Sequence, residues 1–306
     1  MQHHVQRAAE IQLEAPAGLA GRAEGLRRAT LVGAQVGAVH TGFALVSLEA
    51  GGSVSTHLHS TEQSFYVLEG NPQVTADGRT YLLSPGDCGF VPVGVEHAWR
   101  SERDARWLEV NAPAPRISGP PDTFWTGEPA PAVDSPPPPD IRDPRSRIFF
   151  RLREGELELD NLKIGAPVDA PTVSASMATA LLAYSGIVVK MLVDQRLGAA
   201  LHTMFMVEYE PGGVAQPHDH PLEEAYYILE GEVEAMAGEE HFVLRPGDVF
   251  WTGVGCVHAF WNKSDGRVRW LETQSPQPPS NHSYRFNRDW DYLAERLEGR
   301  AREEDT

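Results

Sequence analysis

The sequence predicts an all-β chain in which one barrel is written twice and the copies are joined by a proline-rich linker. The first observation is an internal repeat. GGSVSTHLHSTEQSFYVLEG (51–70) matches GGVAQPHDHPLEEAYYILEG (212–231), and SPGDCGFVPVGVEHAW (84–99) matches RPGDVFWTGVGCVHAF (245–260). One offset of 161 residues aligns both pairs without a gap, and 18 residues between 51 and 101 are identical to their partners. Such a register over fifty residues marks a duplicated unit. The second observation is the texture of each copy, which consists of short runs rich in β-branched and aromatic residues. The third is punctuation: 28 glycines and 24 prolines fall in small clusters at turn-like intervals, as a closed antiparallel barrel or jelly roll requires.

Taken in order, residues 25–112 are expected to form the first barrel. Its strands lie in FALVSLEA, SFYVLEGNPQVTA and TYLLSPGDCGFVPV. Residues 113–146 read as the linker, because Pro136, Pro137, Pro138 and Pro139 force extended backbone and forbid helix. Phe124 and Trp125 within it imply that part of the linker is pinned to a barrel. Residues 147–280 are expected to form the second barrel, with strands in MFMVEYEP, AYYILEGEVEAMA and HFVLRPGDVFWTG. In the tail, 281–306, Asp289 precedes Trp290, Leu293 and Leu297 at helical spacing, which predicts a short amphipathic capping helix.

Bulk properties narrow the function. An apolar content of 41% over 306 residues is ample for real cores. A net charge of −17 opposes nucleic-acid binding, which needs a basic face. No apolar window is long enough to cross a membrane. The N-terminal stretch lacks the apolar region of a secretory signal. Two cysteines, Cys88 and Cys256, are read as free buried thiols in a reducing cytoplasm.

The chemistry sits in the histidines. Residues i and i+2 of a strand share a face, so His218 and His220 point the same way, Glu224 can join them, and His258 lies at the corresponding point of a later strand. Three imidazoles and a carboxylate inside a barrel suit Fe, Mn, Ni, Co or Zn and suit Ca or Mg poorly. These residues resemble the two motifs of the cupin superfamily, and the doubled chain is similar to its bicupins. The first motif runs Gly212, His218, His220, Glu224, Gly231; the second runs Gly247, Gly253 (where proline is usual), Gly255, His258, Asn262. The first copy matches at Gly51, His57, His59, Gly70, Gly86, Pro92, Gly94 and His97, but carries Gln63 for the glutamate and Ser101 for the asparagine. Gln63 can coordinate through its amide oxygen as a neutral ligand, so this site is either a working one, a weak one or a vestige. Glu62 should point to the opposite strand face and so does not replace it.

The resemblance implies double-stranded β-helix barrels and one divalent transition ion in the second domain, Fe²⁺ or Mn²⁺ first and Zn²⁺, Ni²⁺ or Co²⁺ next, with a second ion possible in the first domain. Four protein ligands leave two adjacent positions for a small chelating substrate such as a catechol, a β-diketone or a 2-oxo acid. Tyr226, Ile228 and Phe260 share the ligand face, with Met204 and Met206 as further pocket candidates; Tyr226 can orient substrate or donate a proton. The favoured activity is a dioxygenase acting on a small aromatic or enolisable compound. A non-redox hydrolase, decarboxylase or isomerase is the alternative, and a non-catalytic binder of metal and small ligands is a third. Ureidoglycine aminohydrolase is similar in doubled architecture, but its ligand order differs. Oxalate-decarboxylase-like bicupins usually carry a tryptophan beside the paired histidines, where Leu58 and Asp219 stand here. Either a monomer or a homodimer is compatible with paired barrels.

Overall fold

The computed structural model describes residues 2–17, 19, 21–116, 122–140, 148–151, 186–195 and 197–277, together with the backbone of 285–286. The strands of the first half are β1 (His3–Gln6), β2 (Ala23–Val32), β3 (Gly42–His59), β4 (Glu62–Glu69), β5 (Gln73–Ala76), β6 (Arg79–Leu82), β7 (Asp87–Val91), β8 (His97–Arg100), β9 (Ala105–Ala112), β10 (Thr123–Pro129) and β11 (Phe149–Arg151). Those of the second are β12 (Ile187–Val193), β13 (Thr203–Tyr209), β14 (Val214–Asp219), β15 (Glu223–Glu230), β16 (Val233–Ala237), β17 (Glu240–Leu244), β18 (Val249–Thr252), β19 (His258–Trp261), β20 (Val268–Ser275) and β21 (Arg285–Phe286). The all-β expectation holds: two 3₁₀ turns, at Ala8–Glu10 and Ala34–Val36, are the helical elements among the described residues. No helix among the described residues is long and apolar enough to cross a membrane. The helix expected over 287–304 lies outside the described residues.

The two barrels share one strand order. The second has one sheet ordered β1-β18-β15-β20-β13-β12 and another ordered β17-β16-β19-β14-β21. In the first, β11-β7-β4-β9-β3 with β2 on β3 matches the former, and β3-β8-β5-β6 with β10 on β3 matches the latter. The 18-residue β3 runs through both sheets; its counterpart is split into β13 and β14 at Glu210–Gly213.

Each barrel borrows an edge strand from outside its own stretch of sequence. β1, at the start of the chain, pairs with β18 of the second barrel, and β11, beyond the linker, pairs with β7 of the first. Residues 149–151, expected in the second domain, therefore complete the first. The same latch holds both. Arg7 bonds Asp248 at 2.7 Å, and Arg151 bonds Asp87 at 2.8 Å. These aspartates come from the repeated Pro-Gly-Asp turns, where each also accepts a turn amide, from Arg245 and Ser84 respectively. The linker is partly pinned, as its aromatic residues implied: β10 pairs with β3 and sets Trp125 opposite His57.

The barrels meet through a shared apolar core. It contains Leu31, Phe43, Leu45, Phe90 and Cys88 from one side and Val188, Met204, Met206, Trp251 and Leu271 from the other. Both cysteines are free and buried. Two glutamates close the interface reciprocally. Glu62 accepts the amides of Ala200 (2.7 Å) and Leu201 (2.9 Å) and lies 3.0 Å from His202 Nδ1. Glu223, its repeat partner, accepts the amides of Val39 (2.8 Å), His40 (3.1 Å) and Thr41 (3.0 Å). Glu62 thus faces the other barrel, on the opposite strand face from Gln63 as expected.

Glu223→Ala leaves three amides without an acceptor, that of Thr41 buried and those of Val39 and His40 nearer the surface, so it should cost about 2 kcal/mol in denaturant unfolding of the whole chain; a cost below about 0.5 kcal/mol would remove the clamp from the account of stability. Burial opposes the charge on Glu62, but His202 and the two amides more than offset it and hold its carboxyl below the usual range. Stability from a lowered carboxyl is present above the unfolded value of about 4.3 and disappears as pH falls through the folded one. The wild type and Glu62→Gln should therefore differ most near neutrality, with their stabilities converging in an acid titration below about pH 4.

Candidate metal centres

In each barrel the three histidines come from the same two strands. His57 and His59 end β3, and His97 opens β8 directly opposite His57. His218 lies on β14 opposite His258 of β19, with His220 just beyond. A register shift precedes the first histidine in both copies, between Val54 and His57 and between Ala215 and His218. Such a bulge re-aims the following side chains. The ligating atoms of each triad lie within 4.8 Å of one another.

Which nitrogen faces inward is settled by the backbone. Nδ1 of His57, His97, His218 and His258 meets the carbonyl two residues earlier, at Ser55, Val95, Gln216 and Cys256, over 2.7 to 3.1 Å. His220 Nδ1 meets Leu222 O at 3.1 Å, and His59 Nδ1 meets the Thr123 hydroxyl at 2.9 Å. In each barrel the three Nε2 atoms thus turn toward one another, with the outer nitrogen held in the way metal-bound imidazoles need.

The fourth residues differ. Glu224 Oε2 lies 2.7 Å from His220 Nε2 and 3.1 Å from His258 Nε2, so this carboxylate converges on the triad. Gln274 donates to its other oxygen at 2.5 Å, and the Tyr226 hydroxyl bonds Oε2 while lying 3.1 Å from His258 Nε2. In the first barrel Gln63 Nε2 is 3.1 Å from His59 Nε2. There Gln63 Oε1 and His97 Nε2 are buried without a hydrogen-bond partner. Two orphaned acceptors among three imidazoles are what a cation would satisfy, so the residues of both barrels fit a divalent transition ion held by mixed N and O donors.

The electrostatics suit metal binding, which needs neutral imidazole. Burial, reinforced by neighbouring histidines, lowers His59 and His218 to about 3, and burial pushes His57 down and His97 well down. His220 is the exception: burial works against its charge, but Glu224 beside it prevails and raises it. Burial likewise opposes the charge on Glu224, yet His220 and His258 hold its carboxyl well below the ordinary glutamate range.

Ile228 and Phe260 line the barrel interior with Tyr226, whose ring lies 5.0 Å from that of Phe260. Met204 and Met206 do not. Strand alternation turns Phe205 and Val207 into the barrel and both methionines into the core between the barrels, so their place in the pocket is corrected to the interface.

Several site residues went unread in the sequence. RWLEVNAP (106–113) and RWLETQSP (269–276) are a further repeat, but at an offset of 163. Two extra residues before β20 break the earlier register, and a comparison that ends at residue 101 misses them. This repeat puts a glutamate inside each barrel. Glu109 lies 3.0 Å from Arg28 and accepts from Asn111 at 3.0 Å. Glu272 has Val189 where Arg28 would be, and accepts from the Trp270 indole at 2.9 Å. Burial and then the charge of Glu224 drive the Glu272 carboxyl well above its ordinary value. Trp125, expected as an anchor of the linker, also walls the first site, its ring 5.1 Å from that of His57.

Comparison with known proteins agrees with this geometry. The family model described as "Cupin domain" matches residues 44–111 and again 205–273. Quercetin 2,3-dioxygenase of Bacillus subtilis is 26% identical over 238 residues, spanning 71% of this chain and 68% of that protein. Among solved structures, oxalate decarboxylase from Lactobacillus farciminis, in a formate complex, superposes with a TM-score of 0.60 at 16% identity over 95% of this chain and 89% of that one. The Bacillus subtilis oxalate decarboxylase at pH 4.6 gives 0.58 at 16% over 95% and 79%; Mn(II) centres are described for that enzyme. At such identities the likeness is one of fold.

Titrating Co²⁺ or Cu²⁺ should quench part of the tryptophan fluorescence through Trp125, and that part should vanish in Trp125→Phe. An undiminished quench would place no ion beside β10.

Proposed function

The chain is a bicupin of the cupin superfamily, and from that premise we propose that it is a metal-dependent dioxygenase whose substrate, a small aromatic or enolisable compound, chelates an ion in the second barrel. The observation that carries this reading is the set His218, His220, His258 and Glu224 converging in an interior walled by Tyr226, Phe250, Phe260 and Trp270. The similarity to quercetin 2,3-dioxygenase supports it.

A bound Fe²⁺ or Mn²⁺ supplies Lewis acidity and a redox-active template for substrate and dioxygen. The chain's own residues do the rest. Glu224 offsets one unit of the ion's charge and is fixed by Gln274. The Tyr226 hydroxyl, bonded to Glu224, stands where it can orient an oxygen of the substrate or pass it a proton. The aromatic wall keeps water from reactive species. The first barrel binds a second ion through His57, His59, His97 and Gln63, more weakly because Gln63 brings no charge.

A second reading is favoured by Glu272. A carboxyl beside the ligands whose pKa is raised by burial and by Glu224 is suited to donating a proton, which fits a non-redox decarboxylase or isomerase. Loading decides between them: dioxygen consumption with iron, and no turnover with zinc or manganese in the absence of air, supports the oxygenase, whereas anaerobic turnover with manganese or zinc supports the alternative.

Metal analysis should find about two divalent ions per chain, with one lost in Glu224→Ala together with at least a hundredfold of turnover. His97→Ala should lose the other ion and keep most of the activity. Activity that survives Glu224→Ala and dies with His97→Ala would move catalysis to the first barrel.

A further inference from the structure

At the metal end of the second barrel, four side chains form one rung across four neighbouring strands. Thr252 stands opposite Glu224, Glu224 opposite Gln274, and Gln274 opposite Thr203. Residues directly opposite in an antiparallel ladder share a face. Since Glu224 faces the barrel interior, all four do. The rung lies at the lip of the sheet, because Thr252 ends β18 and Thr203 opens β13. The next rung inward is Phe250, Tyr226, Glu272 and Phe205, which is mostly aromatic packing.

The inner pair of the lip, Glu224 and Gln274, satisfy each other. The outer pair do not. Thr252 is 0% and Thr203 4% exposed, and neither hydroxyl has a hydrogen-bond partner among the described residues. A buried hydroxyl left unpaired costs about 1–3 kcal/mol. The first barrel avoids that cost at the same places, where its rung reads Val91, Gln63, Asn111 and Gly42. The polar ends therefore belong only to the barrel whose metal set has its carboxylate.

We propose that Thr203 and Thr252 are substrate-contacting residues of the second barrel, which grip oxygen substituents on either side of the pair that chelates the metal. This rests on the reading of the second barrel as the substrate site. It defines the ligand more closely as a flat molecule with hydroxyl or carbonyl oxygens beyond the chelating two. Adjacent strands are about 4.8 Å apart, so Thr252 acts about one strand to one side of Glu224 and Thr203 about two strands to the other. Both threonines act as donor or acceptor, so hydroxylated and carbonyl-bearing rims are equally suited.

The test compares two probes on the metal-loaded full chain by calorimetric titration: 3-hydroxyflavone, which offers only a chelating pair, and a flavonol carrying further hydroxyls on both outer rings. The wild type should bind the polyhydroxylated probe at least tenfold more tightly. Thr203→Val and Thr252→Val should each remove about five- to tenfold of that preference, one hydrogen bond's worth. Affinity for 3-hydroxyflavone and metal content should not change. In the ligand-free protein both variants should melt no lower than the wild type, since each removes an unpaired hydroxyl. Equal affinity for the probes, or equal weakening of both by the variants, overturns the assignment while leaving the metal site as substrate site intact. A fall in melting temperature overturns it too, by showing that the hydroxyls hold an ordered water. If neither probe binds, the reading of the second barrel as a chelating substrate site fails and this proposal with it.

Discussion

Glu62 and Glu223 each sit one residue before the fourth member of a metal set, on the opposite face of the same strand. On one side of the strand, the side chain of Gln63 or Glu224 turns toward three imidazoles; on the other, the preceding carboxylate grips the neighbouring barrel. Because strand alternation is rigid, the position of either fourth residue is tied to the docking of the barrels. The long turns 39–41 and 200–202 are ordered by the same carboxylates, and they lead directly into β3 and β13, which floor the two barrels. The interface is thus part of how each metal set is aimed, and a chain that held its barrels apart would lose more than contact area.

Duplication has kept the geometry of the two sites while their charges have parted. Six imidazoles are held through their outer nitrogen in nearly the same way. Around them the second barrel exchanges Gln63 for Glu224, Phe65 for Tyr226, Arg28 for Val189, Val91 for Thr252 and Gly42 for Thr203. The first interior pairs its partly buried carboxylate with a guanidinium and offers only neutral ligands. The second gathers two carboxylates with no lysine or arginine partner among the described residues, one held well below and the other driven well above the ordinary glutamate range. An ion in the first site retains its full double charge toward whatever binds it; one in the second retains about half. Two barrels of one shape are in this way prepared for different partners.

Much of this was legible in the sequence, because alternation and repetition are local signals. His-x-His on a strand gives one face, and an offset of 161 gives the duplicate. Strand identity, the pinned linker aromatics and the outward turn of Glu62 follow from the same arithmetic. What was not legible depends on long-range register. Met204 and Met206 alternate as a pocket pair would, and only the docking of the barrels shows that their face is the interface. Glu109 and Glu272 were hidden by two inserted residues that shift the repeat. The loan of β1 and β11 leaves no local trace, since a strand of four or three residues looks the same whichever sheet accepts it.

The crossed edge strands bear on how the protein is made. When the first barrel has left the ribosome, at about residue 112, its sheet still ends at β7, whose outer edge stays bare until β11 emerges some forty residues later. Domains tend to fold in order of synthesis, so the nascent first barrel waits with an open sheet margin through the whole proline stretch. Meanwhile β1 has been waiting since the first residues for a barrel not yet translated. A cut at the prolines therefore does not yield two independent modules. One half would lack its last strand and the other its first, and each fragment could close its gap only by taking a strand from another molecule.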